Sequence, residues 1–142
     1  MNLSIIIPTH SRGKQVLTAV KSIFQTCPVD IEVIVVEDRT TEGKMALEEH
    51  IKQGLIKYVS NDTGPFGAAG TRNLGVSHAS HRYVLFLDDD DQILPGYIER
   101  LLDYLSNPTA NWGFCDQIRK SDEKKARANS SMILSNAPFK NK

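Results

Sequence analysis

Short runs of β-branched and aliphatic residues alternate along this chain with longer stretches in which apolar positions recur every three or four residues. Such alternation predicts strands interleaved with helices: an α/β fold with a mostly parallel, Rossmann-like open sheet flanked by helices. Five strands are expected, near Leu3 to Ile7, Ile31 to Val36, Leu55 to Ser60, Tyr83 to Leu87 and Trp112 to Asp116. The first, second and fourth are almost continuously apolar, which marks them as central strands buried on both faces.

Between the strands, Val16, Leu17, Val20, Ile23 and Phe24 form an apolar stripe at helical spacing, with Pro28 at its exit. Thr40 or Thr41 can cap a second helix that carries Met45, Leu47 and Ile51 and stops at Gly54. A third helix, Gly67 to Ala79, is rich in glycine and alanine and should lie close to the sheet. The fourth is expected to open at Pro95, a favoured first-turn residue, and to bury Ile98, Leu101, Leu102 and Leu105.

Composition narrows the class. With 142 residues, 40% hydrophobic and 24% charged, the chain fits one globular domain with a real core. Its 17 Lys and Arg balance 17 Asp and Glu, so it lacks the basic excess of a dedicated nucleic-acid binder. No apolar stretch approaches the roughly 18 residues of a membrane span. Met1 leads into a strand with no basic signal-like region, so a cytoplasmic location is expected. Cys27 and Cys115 stand far apart without metal-ligand spacing and read as small buried apolar groups.

The charge is unevenly placed. Residues 119–142 hold Arg119, Lys120, Lys124, Lys125, Arg127, Lys140 and Lys142 against Asp122 and Glu123, a net +5 that leaves −5 on the rest. Residues 1–118 are therefore read as an α/β domain. Residues 119–142 are read as a basic polar tail or the start of a further half. Such a tail is usually a solvated end, although it could also hold phosphate, or anionic lipid at the inner face of a membrane.

Open α/β sheets bind ligands outside the carboxyl ends of their strands, and here those ends are polar. The first delivers Pro8-Thr9-His10-Ser11-Arg12, the second Glu37-Asp38-Arg39-Thr40, the third Asn61-Asp62-Thr63 and the fourth Asp88-Asp89-Asp90-Asp91. Consecutive aspartates repel one another, and a divalent cation removes that cost. Hard carboxylate oxygens suit Mn²⁺ or Mg²⁺, which often take one or two protein carboxylates and complete their shell with water and phosphate. The plain alternative is a solvated acidic loop. Gly64 to Asn73 offers a glycine-rich approach to a helix that could present amides to an anion, or could serve packing alone. It matches neither the dinucleotide fingerprint nor the phosphate loop.

Five segments in order carry a resemblance: Ser4-Ile5-Ile6-Ile7-Pro8-Thr9, Ser22-Ile23-Phe24-Gln25-Thr26, Glu32-Val33-Ile34-Val35-Val36-Glu37-Asp38, Gly70-Thr71-Arg72-Asn73-Leu74-Gly75 and Phe86-Leu87-Asp88-Asp89-Asp90-Asp91. Over residues 3 to 118 the chain resembles family-two glycosyltransferases of the A-type nucleotide-sugar fold. The resemblance implies a metal-dependent, inverting transfer from a nucleotide-diphosphate sugar, usually of uridine. It implies that Thr9 and Asp38 meet the base, Arg72 supports the nucleotide and Asp88 meets the ribose. Asp90 would coordinate the metal, with Asp88 as second metal candidate and Asp89 lining the pocket. Pro8, His10, Arg12 and Glu37 complete the candidate donor-binding set.

Two departures follow from the same comparison. Glu37-Asp38-Arg39-Thr40 stands where the family usually has Asp-Asp-Gly-Ser or Asp-Asp-Ser-Ser. The resemblance implies that the general base and most acceptor contacts lie in a later segment that 142 residues do not reach, an acceptor half of which residues 119–142 would be the start. The base is therefore expected to be absent, with Asp91 and Asp116 the nearest candidates and His10 the available imidazole. Rival readings are a nucleotide-sugar-binding module that transfers nothing and a metal-dependent nucleotidyltransferase.

Overall fold

The computed structural model describes residues 3–26, 31–106, 112–115 and 131–135, the last two segments as backbone. Cys27, Pro28, Asp116 and most of residues 119–142 lie outside the described residues, as does the Cys115 side chain. The elements run β1 (Leu3–Thr9), α1 (Gly13–Thr26), β2 (Glu32–Asp38), α2 (Glu42–Ala46), α3 (Glu48–Lys52), β3 (Lys57–Asn61), α4 (Gly67–His78), β4 (Tyr83–Phe86), α5 (Tyr97–Leu105), β5 (Trp112–Cys115) and β6 (Ser131–Ser135). They build one sheet in the order β3-β2-β1-β4-β6-β5. β1 pairs in parallel with β2 and β4, and β2 with β3, whereas β6 runs antiparallel to both β4 and β5.

The expected central strands are central. Alternation along β1 sends Ile5 and Ile7 to one face, where they meet Val16, Ala19, Val20 and Ile23 of α1 and Ile98 and Leu101 of α5. Ile6 faces the other way with Ile34, Val36 and Val84, against Leu74 and Val76 of α4. Strand β3, at the edge, is only half covered.

Glycine explains how closely α4 lies. A Cβ on Gly75 would stand 2.4 Å from Cγ2 of Ile6, and one on Gly70 would stand 1.9 Å from the carbonyl oxygen of Pro65. No larger residue fits either position without moving backbone or core.

Five expectations are corrected. The second helix is two short ones, α2 and α3, broken at Leu47, whose buried side chain faces the core. Met45, expected in its stripe, is 73% exposed. Neither threonine caps α2 with its side chain. The carboxylate of Glu37 accepts from the N–H groups of Gly43 and Lys44 instead, while Thr40 Oγ1 donates to that same carboxylate. The fourth helix opens at Tyr97, because Gly96 adopts φ 76° and the turn from Pro95 must finish first. Finally, a sixth strand, β6, falls inside the segment read as a basic tail. Its apolar run Met132-Ile133-Leu134 is short and surrounded by polar residues, so it gave no clear strand signal.

Candidate functional site

The carboxyl ends of β1, β2 and β4 open on a cavity of about 450 Å³ lined by Pro8, Thr9, His10, Arg12, Asp38, Arg39, Gly67, Ala68, Thr71, Arg72, Asp88, Asp89 and Asp90. The strand order places it where adjacent connections leave the sheet on opposite sides, the usual ligand position of such sheets.

The aspartates after β4 do not share one environment. Asp89 is buried, and both of its oxygens are occupied: Oδ2 accepts from Thr9 Oγ1 at 2.8 Å and Oδ1 from Arg12 at 2.9 Å. Asp90 is exposed and meets Arg12 at 3.3 Å. Asp88 is exposed and receives a hydrogen bond from Arg72 at 2.5 Å. Asp91 lies outside the cavity lining, and burial, then the charges of Asp88 and Asp90, push its carboxyl above the ordinary carboxylate range. The loop is held from behind by Ser22 of α1, whose hydroxyl accepts the N–H of Ile93 at 2.9 Å.

At the end of β2 the chain turns sharply. Arg39 takes φ 59° and Ser11, on the facing turn, takes φ 52°, both in the left-handed region that non-glycine residues seldom occupy. The Ser11 N–H donates to Thr40 Oγ1 at 3.0 Å and joins the two turns. His10 Nδ1–H donates to the Asp38 carbonyl at 2.6 Å.

Asp38 is buried yet well satisfied. Its Oδ2 accepts the Gly67 N–H at 2.8 Å, and Arg39 reaches both oxygens at 3.2 and 3.3 Å. Burial alone would raise its carboxyl, but the Gly67 hydrogen bond and then Arg39 outweigh it and hold the group below its ordinary range. Arg39 also lies 4.5 Å above the ring of Phe66, along the cavity wall. The residue that departs from the family pattern is therefore built into the site. The glycine-rich approach to α4 does present an amide to an anion, and that anion is Asp38.

Of the residues singled out in the sequence, Pro8, Thr9, His10, Arg12, Asp38, Arg72, Asp88, Asp89 and Asp90 come together. Glu37 does not join them. Its fully buried carboxylate turns away to the first turn of α2 and to the Tyr58 hydroxyl at 2.8 Å. Gly67, Ala68 and Thr71 line the cavity without having been nominated individually; the glycine-rich segment was the signal for them.

Glycosyl transferase family 2 matches over residues 4–142, and the chain belongs to that family. It is 34% identical over 102 residues to the GalNAc(5)-diNAcBac-PP-undecaprenol beta-1,3-glucosyltransferase of Campylobacter jejuni, covering 70% of this chain and 33% of that protein. An uncharacterized glycosyltransferase of Haemophilus influenzae is 33% identical over 111 residues, 78% of this chain and 37% of that one. The chain thus spans about a third of the length of these relatives.

Among solved structures, S. aureus TarS 1-349 superposes with a TM-score of 0.77 at 19% identity, covering 96% of this chain and 47% of that one. The mannosyltransferase PcManGT of Pyrobaculum calidifontis, in complex with GDP-Man and Mn²⁺, gives 0.71 at 18% identity over 82% of this chain and 36% of that one. These likenesses establish the A-type fold. No helix among the described residues is long and apolar enough to cross a membrane.

Proposed function

We propose that this chain forms the donor side of a metal-dependent glycosyltransferase that takes a nucleoside-diphosphate sugar, with uridine as the nucleoside. The observation that carries the reading is the convergence of Thr9, Asp38, Arg72, Asp88, Asp89 and Asp90 on one cavity at the strand ends. A TarS structure in complex with UDP-GlcNAc, similar in fold at a TM-score of 0.75, supports the uridine assignment.

The donor set fits Mn²⁺ or Mg²⁺. Asp90 and Asp88 present exposed hard oxygens, whereas both oxygens of Asp89 are already engaged. Among the described residues no group of three or more His, Cys, Asp and Glu side chains could hold an ion by itself. Water and the diphosphate would therefore complete the shell, as is common for Mg²⁺. When bound, the ion would neutralise charge on the departing diphosphate. Asp38 and Thr9 would face the base, and Arg72 would add positive charge near the phosphates.

In the proposed transfer an acceptor hydroxyl oxygen bonds to the anomeric carbon while the bond from that carbon to the diphosphate breaks, which inverts the centre. The hydroxyl proton passes to a base. Asp91, which stands outside the cavity lining, is the candidate among the described residues and Asp116 the candidate beyond them, and the base is expected in a segment other than residues 1–118 if neither serves. A lipid-linked saccharide is the proposed acceptor, supported by the printed name of the Campylobacter relative. Basic residues of 119–142 would then meet anionic lipid on the cytoplasmic side.

Incubation with a panel of UDP-sugars and Mn²⁺, following UDP, and a parallel incubation with UTP, sugar 1-phosphates and Mn²⁺, following pyrophosphate, test this. Release of UDP supports the reading. Release of pyrophosphate would indicate nucleotidyl transfer, and tight binding with no release would indicate a donor-binding module.

A further inference from the structure

One nitrogen of Arg12 holds two unlike carboxylates. Its Nη1 donates to Oδ1 of Asp89 at 2.9 Å and to Oδ2 of Asp90 at 3.3 Å. The Asp89 side chain is 7% exposed and takes its second hydrogen bond from Thr9, so its position is fully determined. The Asp90 side chain is 60% exposed, and Arg12 is its ionic partner among the described residues. The guanidinium itself is half exposed and lines the cavity.

The two contacts differ in how readily they are given up. A short contact to a buried carboxylate is weakly screened by solvent, whereas a longer one to an exposed carboxylate is weak. A divalent cation arriving at the cavity therefore meets an Asp90 that is easily released and an Asp89 that is not. Because one nitrogen makes both contacts, Asp90 can leave without disturbing Asp89.

We propose that Arg12 is an exchangeable counter-ion of the donor site: without a metal it neutralises Asp90, and on binding of a divalent cation with a diphosphate it releases Asp90, keeps Asp89 and turns its charge to the phosphate oxygens. The proposal rests on the donor-site reading above. It makes Arg12 a competitor of the metal and an ally of the nucleotide. A purely structural arginine would affect both ligands alike.

The test is Arg12→Gln, with Mn²⁺ alone titrated by the EPR signal of the free ion and UDP titrated at saturating Mn²⁺. Mn²⁺ alone should bind roughly twofold to fivefold more tightly, since a competing charge is gone. UDP should bind about tenfold more weakly, since a charged hydrogen-bond donor is gone. Affinities that fall together, or that both stay unchanged, overturn the proposal and leave the donor-site reading intact. A native protein that binds neither Mn²⁺ nor UDP overturns that reading itself. Should Arg12→Gln fail to fold, guanidinium NMR of the native protein reads the same exchange. The Arg12 signals should move on adding Mg²⁺ and again on adding UDP, and signals fixed through both additions overturn the proposal.

Discussion

The hydroxyl of Thr9 donates to Oδ2 of Asp89 at 2.8 Å, tying the end of β1 to the acidic loop across 80 residues of sequence. The bond is buried, and it orients an aspartate whose oxygens are both committed. Thr9→Val keeps the shape and removes the donor. It is expected to cost about 1 kcal/mol in chemical denaturation and to weaken nucleotide binding. Thr9→Ser, which retains the hydroxyl, should restore most of the binding. Native-like UDP affinity in the valine variant would show that Asp89 needs no such tether.

Glu37 makes the fold sensitive to acid. Burial alone would raise its carboxyl, but the hydrogen bonds from Gly43, Thr40, Tyr58 and Lys44 outweigh it and hold it below the ordinary 4.5. A carboxylate depressed in the folded state contributes stability above that value, and the contribution is lost as the pH falls through the folded pKa. Glu32 and Asp38 are depressed as well and add to the decline. Unfolding curves taken from pH 7 downward should therefore be steeper for the native protein than for Glu37→Gln, which starts less stable. On the alkaline side the Tyr58 hydroxyl is raised above its ordinary 10.0 by burial and by Glu37, so stability should also fall above that pH.

Gly75→Ala should be severely destabilising for a residue on a helix, where alanine ordinarily helps. Its Cβ would meet Ile6 at 2.4 Å, and overpacking of this kind typically costs 1–3 kcal/mol. Thermal unfolding measures it, and Ile6→Ala, which removes Cγ2, should cost less in the Gly75→Ala chain than in the native one, because Ile6 supplies the clashing atoms.

The central strands were legible because β1, β2 and β4 are continuous apolar runs, and only strands buried on both faces read that way. Their polar ends, Thr9, Asp38 and the aspartates from Asp88, located the cavity for the same reason. What the sequence hid was direction. Glu37 and Asp38 are neighbours at the end of a strand, so the pleat sends them to opposite faces: Asp38 into the cavity and Glu37 under α2. Nothing in the residue types distinguishes the two. Likewise Arg12 and Arg72 carry no mark in sequence of which aspartate each will hold, since those pairs span 77 and 16 residues. Strand β6 was missed because three apolar residues in a basic, polar segment fall below what periodicity can resolve.

Asp38→Ala is expected to blur the preference among nucleotides more than it weakens the diphosphate. The carboxylate sits at the end of β2 and is held by the Gly67 amide and Arg39, whereas the exposed Asp88 and Asp90 pair with Arg72 and Arg12. Titration calorimetry with UDP, GDP and ADP compares the variant with the native chain. Unchanged selectivity would move base recognition to Thr9 or to Arg39.

The most direct test of the donor-site account is a thermal-unfolding scan of the native chain with UDP, with Mn²⁺, and with both. A ligand that binds only the folded state at about 100 times its Kd stabilises it by roughly 2.7 kcal/mol. UDP and Mn²⁺ together should raise the Tm by more than the sum of their separate shifts, and Asp90→Asn should abolish the excess. A UDP shift that is the same with Mn²⁺ as with a chelator would contradict the metal-bridged donor site.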